Sequence, residues 1–327
     1  MQLTKPFQIT GASGFARVCA SDDLNAPLLD LDSKEINLDA AFFALFQNRV
    51  RRASRYVKFA NLAAHKCLES LAHPMMAGKT VGLYLGTGIG NSPDIVGFTA
   101  EIFENHATTV SPAAFVNTVS NAGLFYAARA VGVECTTTVV SQETLSFECA
   151  LLSAARALQA GEIEIALVGG VDVYHPPRLT MFERLNSRGA RPESLGEGAA
   201  FITLVKDSDS SLPNLGYLQA IKVERVENAT TLLDWMGTHH QCISPLTGYL
   251  GAGVDLSENE FLELSHQLRL TPYQTKCLAG DYSTASAYSV AKFLSEENSV
   301  QHHKLTHINR HYEGLSGLIQ ISRQLSD

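Results

Sequence analysis

The sequence predicts a large α/β protein built from two related halves. Stretches with the apolar spacing of strands alternate with stretches that have the spacing of helices, and this alternation is typical of layered α/β folds. The order strand, polar turn, helix, strand, Glu-Gly pair and strand also occurs twice along the chain. With 327 residues, of which 45% are hydrophobic, the chain can bury a substantial core without disulfides or a structural metal.

Apolar spacing places the strands and the helices along the chain. The strands are predicted at 7–12, 79–86, 134–141, 163–170, 199–206, 217–226, 275–280, 304–309 and 317–323. The helices are predicted at 54–71, 93–105, 113–130, 143–160, 257–268 and 283–297. Strands and helices are therefore expected to alternate through most of the chain.

The repeated order defines the two halves. In the first half, the strand end, the polar turn and an alanine-rich helix fall at 139–160, and residues 277–294 repeat that order in the second. The stretch 207–216, which contains DSDSSLPN, is the most loop-like part of the chain. We therefore expect an N-terminal half at 1–206 and a C-terminal half at 207–327, packed as one compact unit.

Composition argues against several classes of function. The net charge is −8 and no basic block is present, so an extended nucleic-acid interface is not expected. No run approaches the roughly 18 to 20 apolar residues that span a bilayer, and residues 1–7 lack the pattern of a signal peptide. The six cysteines are scattered without a CxxC pair, which predicts reduced thiols in a cytoplasmic protein without a zinc site.

Two short patterns suggest other functions but fit them poorly. The segment ITGASGFAR resembles the phosphate loop of short-chain dehydrogenases, and Tyr288 and Lys292 match the YxxxK pair of those enzymes. That pair lies almost at the end of the chain, far from its place in such enzymes, and short motifs often match by chance. The histidine pairs at 239–240 and 302–303 are adjacent in sequence, so on a strand they would point to opposite faces. No cofactor and no metal is therefore predicted.

A longer series of motifs resembles the β-ketoacyl synthases of the thiolase superfamily. The series runs in order through GTGIG, SPAAFVNTVSNAGLFYAARAVG, TTTVVS, ALLSAARALQAGEIEIALVGGVDV and LNSRGARPESLGEGAAFITL. The segment ITGASGFARV also resembles the family's first strand and turn better than a dinucleotide-binding loop. The resemblance is strong over residues 78–206. It implies a thiolase-like fold, in which two α/β halves pack in α-β-α-β-α layers.

The resemblance also implies where the family's catalytic groups would stand. The family places a cysteine at the start of the helix predicted at 143–160, where the helix dipole favours the thiolate, and the matching residue here is Thr144. The first of its two histidines matches Leu250, and the second matches Asp281, five residues after Lys276. Neither leucine nor an ionised aspartate can donate a hydrogen bond to a developing oxyanion.

Each of these positions also has a plain structural interpretation. Leu250 would pack in the core, and Asp281 would cap the helix predicted at 283–297. The nearby Cys149 falls on the apolar stripe of its helix, where it would act as a small core residue.

A scaffold that keeps the family's motifs without its thiol and its two imidazoles predicts a non-catalytic member. The resemblance then implies a chain-length factor, which forms a heterodimer with an active β-ketoacyl synthase and shapes the acyl tunnel in type II polyketide biosynthesis, with aryl polyene systems as the nearest match. Such a complex receives its acyl chain from the phosphopantetheine of an acyl carrier protein. The alternative is a ketosynthase-like enzyme of altered mechanism, a malonyl-carrier-protein decarboxylase or an acyl hydrolase, that uses Thr144 or Ser141.

In the resembled family the acyl tunnel reaches the dimer interface beside the Gly-rich turn and the helix that follows it. The expected tunnel and interface residues here are Ile89, Ile95, Phe98, Thr99, Ala114, Thr137 and Val139. For Phe98 and Ile102, ordinary core positions are an equally good interpretation. The β-branched, nearly uncharged strand 134–141 is expected to pair across the dimer, because an exposed strand of this kind otherwise invites aggregation.

Overall fold

A mixed β-sheet organises the backbone. The structure, a computed structural model, describes residues 2–19, 27–47, 53–69, 76, 78–88, 90–104, 106, 109–131, 135–175, 195–206, 211–226, 235, 248–254, 256–296, 303–311 and 314–323. The strands in these residues are β1 (Gln2–Cys19), β2 (Leu28–Asp30), β3 (Glu35–Ile36), β4 (Val81–Gly86), β5 (Cys135–Val140), β6 (Ile165–Asp172), β7 (Leu195–Val205), β8 (Gly216–Arg225), β9 (Tyr249–Ala252), β10 (Thr271–Tyr273), β11 (Lys304–Arg310) and β12 (Leu315–Arg323).

The strand order shows an internal repeat. Across the sheet the order is β10-β9-β11-β12-β8-β1-β7-β6-β4-β5. From each outer edge inward, two parallel pairs are followed by two antiparallel pairs, so β5-β4-β6-β7-β1 has the same arrangement as β10-β9-β11-β12-β8. The two groups join where β1 pairs with β8. The first group precedes residue 207 and the second follows it, and we propose 1–206 and 207–327 as the two halves.

The helices complete the layers. They are α1 (Leu38–Phe46), α2 (Arg55–Glu69), α3 (Ser92–Glu104), α4 (Pro112–Asn117), α5 (Ala122–Val131), α6 (Ser146–Ala160), α7 (Glu258–Leu268), α8 (Lys276–Ala279) and α9 (Ala285–Ser295). None of these described helices is long and apolar enough to cross a membrane.

Side chains that alternate between the two faces of the strands divide most of the buried core into three large clusters. Side chains of consecutive strand residues point to opposite faces. On β6, Val168 packs in a central cluster and Leu167 in an outer one; on β12, Ile319 packs in the same central cluster and Leu318 in a second outer cluster. The central cluster contains α6 and α9, and the outer clusters contain α2 with α5 and, in the second half, α7. The predicted α/β class and its α-β-α-β-α layering are confirmed.

Local sequence explains how two of the helices begin. Ser257 and Glu260 form a capping box at α7: the Ser257 hydroxyl accepts from the amide of Glu260 at 3.3 Å, and the Glu260 carboxylate accepts from the amide of Ser257 at 3.1 Å. Ser111 starts α4 in the same way, because its hydroxyl accepts from the amide of Ala114 at 3.3 Å.

Several sequence-based boundaries are wrong. The strand predicted at 275–280 is the short helix α8, because apolar spacing cannot separate a strand from a helix over so few residues. The single helix predicted at 113–130 is two helices, α4 and α5, and the Thr118 hydroxyl donates to the Phe115 carbonyl at 2.7 Å where α4 ends. The helix α1 and the short strands β2, β3, β9 and β10 were not predicted.

Candidate functional site

The helices α6 and α9 begin where the parallel strands of the two halves end. The first half contributes the ends of β4 and β6, and the second half contributes the ends of β9 and β11. We call this region the junction; it comprises residues 87–88, 141–148, 172, 253, 281–284 and 309–311. The thiolase-like resemblance places its catalytic positions in or beside this region.

A buried aspartate at the end of β6 fixes one side of the junction. Asp172 accepts hydrogen bonds from the Thr87 hydroxyl at 3.1 Å and the Gly88 amide at 3.0 Å with one oxygen. Its other oxygen accepts from the amide and the hydroxyl of Thr284, at 3.0 and 2.9 Å. Asp172 therefore links the turn after β4 to the start of α9.

The turn after β4 lies against both helix starts. A Cβ atom on Gly88 would overlap the side chain of Ser283 and would lie 2.8 Å from the carbonyl oxygen of Glu143. Only glycine allows the backbone to approach this closely. The Gly-rich segment thus serves close packing at the junction.

The turn before α6 carries Thr144, the residue that the resemblance matches with the family's nucleophile. The Thr144 side chain is half-buried, and its hydroxyl donates to the carbonyl oxygen of Arg310 at 3.3 Å. The Ser146 hydroxyl accepts from the Gln142 amide at 2.8 Å and lies 3.0 Å from the carbonyl oxygen of Thr87. The turn is therefore tied to β11 on one side and to the Gly-rich segment on the other.

Asn309 connects the two halves beneath this turn. Its side-chain amide donates to the carbonyl oxygen of Thr144 and, at 3.2 Å, to the carboxylate of Glu148. The oxygen of this side-chain amide accepts a hydrogen bond from the backbone amide of Arg310 at 3.0 Å. A Cβ atom on Gly253, just after β9, would overlap that same oxygen. Asn309 is therefore held from three sides.

Glu148 is a buried carboxyl group in the first turns of α6. Its side chain is fully shielded from solvent. Burial raises the pKa of Glu148 to about 7, although the hydrogen bond from Asn309 acts in the opposite direction. About one helical turn after Thr144, the protein thus holds a carboxyl group that titrates near neutral pH.

A glutamate–histidine pair closes the junction on its solvent side. A ring nitrogen of His311 lies 2.7 Å from the Glu143 carboxylate. The His311 side chain is buried and the Glu143 side chain is 59% exposed. Glu143 also has φ +45°, a left-handed conformation that glutamate seldom adopts.

Asp281 does not cap a helix, and this expectation is wrong. Thr284 precedes the first residue of α9, and its amide bonds to Asp172 instead. The backbone of Asp281 pairs with the start of β7, where its carbonyl accepts from the Gly196 amide at 3.0 Å. Its carboxylate lies 3.3 Å from the ammonium group of Lys276. Asp281 is therefore a buried member of an ion pair beside the junction.

Leu250 lies in the middle of β9 and packs in the outer cluster of the second half, in agreement with the core-packing interpretation. The residue of this segment that contacts the junction is Gly253, three positions later. Cys149 is half-buried on α6, and burial, with a smaller effect from Glu148, raises the pKa of its thiol to about 11.

The residues expected at the tunnel and interface lie on a different surface. The helix α3 has no buried residue, so the core interpretation of Phe98 and Ile102 is wrong. Ile95 and Thr99 are exposed, and Phe98 packs against Phe115 with ring centroids 5.7 Å apart. Ala114 is half-buried in the first turn of α4.

On the strand beside these helices, Thr137 is exposed and Val139 is half-buried. Ile89 lies outside the described residues.

Apolar side chains are concentrated on this surface. Of the ten exposed large hydrophobic residues in the described part of the chain, eight lie on or between α3, α4 and α5: Ile95, Val96, Phe103, Val110, Phe115, Val116, Val119 and Phe125. The adjacent strand β5 ends the strand order of the sheet. We call these eight residues and β5 the apolar face.

Sequence reasoning did not find Asp172, Asn309 or His311. A signal was present, because each is a polar residue at the end of a largely apolar strand segment, in IALVGGVD and in KLTHINRH. Carboxyl ends of parallel strands commonly carry functional side chains. Among the described residues, no group of three His, Cys, Asp or Glu side chains is arranged to hold a metal; the histidine pair at 239–240 lies outside them.

Comparison with solved structures supports the fold. A β-ketoacyl synthase from Burkholderia phymatum STM815 superposes with a TM-score of 0.75 at 14% identity, over 98% of this chain and 100% of that chain. The ishigamide ketosynthase/chain length factor gives 0.74 at 14% identity, over 98% and 99%. A type II PKS acyl-carrier protein in complex with its ketosynthase, AntDE:AntF, gives 0.73 at 14% identity, over 99% and 100%. At such identities the likeness shows the fold alone, and a search of curated protein sequences gives no significant match.

The family follows from a separate comparison. Residues 22–193, more than half of the chain, match the model of the β-ketoacyl synthase N-terminal domain. That match covers the Gly-rich turn, the turn before α6 and Asp172, which are the first half's contributions to the junction. Together with the thiolase-like architecture of its strands and helices, it shows that the chain belongs to the β-ketoacyl synthase family.

Proposed function

We propose that this chain is a non-catalytic chain-length factor, which forms a heterodimer with an active β-ketoacyl synthase and shapes the acyl tunnel of that complex. The observation that carries the proposal is the turn before α6, which keeps the family's architecture but has Thr144 where the family has its cysteine. One structural neighbour is itself named as a ketosynthase/chain length factor.

The residues at the junction argue against condensation by this chain. Residues 141–146 contain no thiol. The next cysteine, Cys149, is a poor nucleophile because the raised pKa of its thiol leaves almost no thiolate at neutral pH.

The histidine positions lead to the same conclusion. The carboxylate of Asp281 lies 3.3 Å from the ammonium group of Lys276, and an ionised carboxylate accepts hydrogen bonds and donates none. Neither Leu250 nor Gly253 on the β9 segment carries a side chain that donates a hydrogen bond. His307 on β11 is fully buried outside the junction, and burial, with a smaller effect from Lys276, lowers its pKa to about 3.

The apolar face supports the proposed heterodimer. Eight exposed hydrophobic side chains beside a sheet edge that no other described strand pairs with are unfavourable in water, and such a surface is typical of a protein interface. We propose that β5, with Thr137 and Val139, lies at the centre of this interface. Obligate partners of this kind bury more than ~2,000 Å² in total.

We propose that the tunnel runs beside the same face. Ile95 belongs to this face, and Phe98, Thr99 and Ala114 lie on the helices α3 and α4 that carry it, so the acyl chain would run along the interface. We propose that an acyl carrier protein delivers this chain to the complex from its phosphopantetheine, as part of type II polyketide synthesis in the cytoplasm. As the product of this synthesis we propose an aryl polyene.

Reconstitution with an active β-ketoacyl synthase from the same gene neighbourhood tests the function. We expect a heterodimer by light scattering, no condensation or decarboxylation by this chain alone, and turnover of the complex within about threefold of wild type for Thr144→Ala, because no transition-state contact is lost. A hundredfold loss with the heterodimer intact would instead support an enzyme that uses Thr144. A monodisperse monomer in the presence of the ketosynthase would exclude the chain-length factor.

A further inference from the structure

The backbone of Glu143 is strained at a position where strain has a consequence. Its φ of +45° is uncommon for residues other than glycine and asparagine, and such residues cluster at functional sites where the surroundings hold them in place. Glu143 directly precedes Thr144, the position of the family's nucleophile. The strained conformation therefore determines how the Glu143 side chain lies relative to Thr144.

His311 fixes the side chain that this backbone presents. The ring nitrogen lies 2.7 Å from the carboxylate, and the ring itself is buried. The contact joins the first half to the end of β11 in the second half, so the carboxylate cannot swing away without breaking a contact between halves. Because the carboxylate of Glu143 contacts this buried ring, the exposed carboxylate has a defined position.

Among the charged side chains that the structure describes around the turn, this carboxylate is the most exposed. The guanidinium of Arg310 points to Glu260, at 3.8 Å. Glu148 is buried below the turn, and Asp281 is buried and paired with Lys276. Glu143 is more than half exposed. A second anion that approaches residue 144 from solvent would therefore meet the negative charge of Glu143.

We propose that Glu143, held by His311, is an electrostatic guard that keeps anionic acyl thioesters, of the malonyl class, away from the turn before α6. The inference rests on the proposed function, since a non-catalytic subunit that excludes the extender unit leaves it to the partner's site. The start of a helix otherwise attracts anions, and the guard counteracts that attraction without closing the turn to neutral groups.

Paired alkylating reagents measure this charge directly. In a Cys277→Ser background, which removes an exposed native thiol, Thr144→Cys introduces a thiol at the guarded position. Its rates of reaction with anionic iodoacetate and neutral iodoacetamide are measured by peptide mass spectrometry, on the full chain purified with its ketosynthase or alone if no complex forms. The ratio of the two rates cancels changes in thiol pKa, because both reagents require the thiolate.

We expect Glu143→Gln to raise the iodoacetate-to-iodoacetamide ratio about fivefold, as expected for removing one nearby charge at a solvent-exposed site. Glu143→Asn, which removes the charge and tolerates the left-handed backbone, should give a similar rise. His311→Ala should give a smaller one, because the carboxylate then moves freely. The matched control is Glu69→Gln, which breaks another glutamate–histidine pair, with His65 at 3.5 Å, and should leave the ratio unchanged.

A ratio that stays within about 1.5-fold in both neutral variants would overturn the guard. That result would leave the proposed function standing, because heterodimer formation and activity are measured separately. Conversely, condensation by the wild-type chain alone would overturn the proposed function, whatever the ratio.

Discussion

Asn309 and Glu148 show how one amide can hold a site together at the scale of single residues. Asn309 bonds to a backbone carbonyl in the turn before α6 and to a carboxyl group inside α6. Because both acceptors belong to the first half and Asn309 belongs to the second, the amide fixes the halves relative to each other. A buried hydrogen-bonded group of this kind is costly to break, since its partners would be left unsatisfied.

The buried carboxyl group of Glu148 should make stability depend on pH. Its pKa is raised from an ordinary value of 4.5 to about 7 in the folded state, so the folded protein binds the proton more strongly than the unfolded chain. The stabilising contribution is complete below pH 4.5 and is lost as the pH rises through about 7, by about 3 kcal/mol in all. We expect Glu148→Gln, a neutral replacement, to remove this loss, so that the variant gains stability over wild type as the pH rises from 5 to 8.

Denaturant titrations at pH 5, 6, 7 and 8 measure the effect. Glu35→Gln serves as the control, because Glu35 is exposed on β3 and its replacement should leave the pH profile unchanged. If wild type and Glu148→Gln lose stability in parallel across this range, then Glu148 does not titrate near neutral pH in the folded protein.

At this scale the sequence predicted the positions but not the contacts. The sequence placed Thr144 at the start of the long helix, and in the structure it lies in the turn just before that helix; its match to the family's nucleophile stays a prediction. The contacts of Asn309, Asp172 and His311 join segments more than 80 residues apart, so no local pattern could have indicated them. Their residue types at strand ends were the only signal.

The helices α3 and α4 are unusual elements because none of their residues is fully buried. Apolar spacing on a helix predicts a buried stripe, and for Phe98 and Ile102 this reasoning gave a core position. In the chain by itself the face of α3 is exposed instead. Spacing shows that a helix has an apolar side, but it does not show whether that side meets the chain's own core or another protein.

A charge on the apolar face should prevent the heterodimer. Val116 lies near the end of α4, and its side chain is 47% exposed. The proposed partner would bury this side chain, so Val116→Asp would place an unpaired charge in the interface. We expect affinity for the ketosynthase to fall at least a hundredfold in analytical ultracentrifugation, with an unchanged circular dichroism spectrum.

Leu262 provides a matched control for this variant. It lies on α7, outside the apolar face, and is exposed to a similar extent, 43%. Leu262→Asp should change the affinity less than threefold. Equal effects of the two substitutions, or no effect of either, would mean that the partner binds elsewhere.

For the whole molecule, the sequence predicted more of the architecture than of its details. The α/β class and its layers follow from patterns that occur twice, and the strand order agrees with them; the bounds of the two halves stay a prediction. The short strands β9 and β10 escaped prediction because each is only three or four residues long. They are stabilised by pairing with strands distant in sequence rather than by their own apolar pattern.

We expect the volume of the tunnel in the complete heterodimer to set the length of the acyl product. Ala114 has a small side chain on α4, beside the apolar face, and Ala114→Trp would fill space that a growing acyl chain needs, at a cost of roughly 1–3 kcal/mol once the chain must displace the ring. We expect shorter products by mass spectrometry, while the early condensations stay as fast as in wild type. Ile95→Trp should act in the same direction, and Leu262→Trp should have no effect. Unchanged products from both tunnel variants, with the heterodimer formed, would show that this subunit does not set the length.

The central position of β1 has a consequence for how the chain is made. This strand leaves the ribosome long before its two main partners, because Phe15 pairs with Ala199 and Phe7 pairs with Leu218. At roughly 5–20 residues per second, partners that lie about 180 residues or more downstream emerge about 10 to 40 seconds later. Throughout that interval this 18-residue strand has β2 but neither β7 nor β8 as a partner, so we expect the nascent strand to benefit from a chaperone that shields it until β7 and β8 arrive.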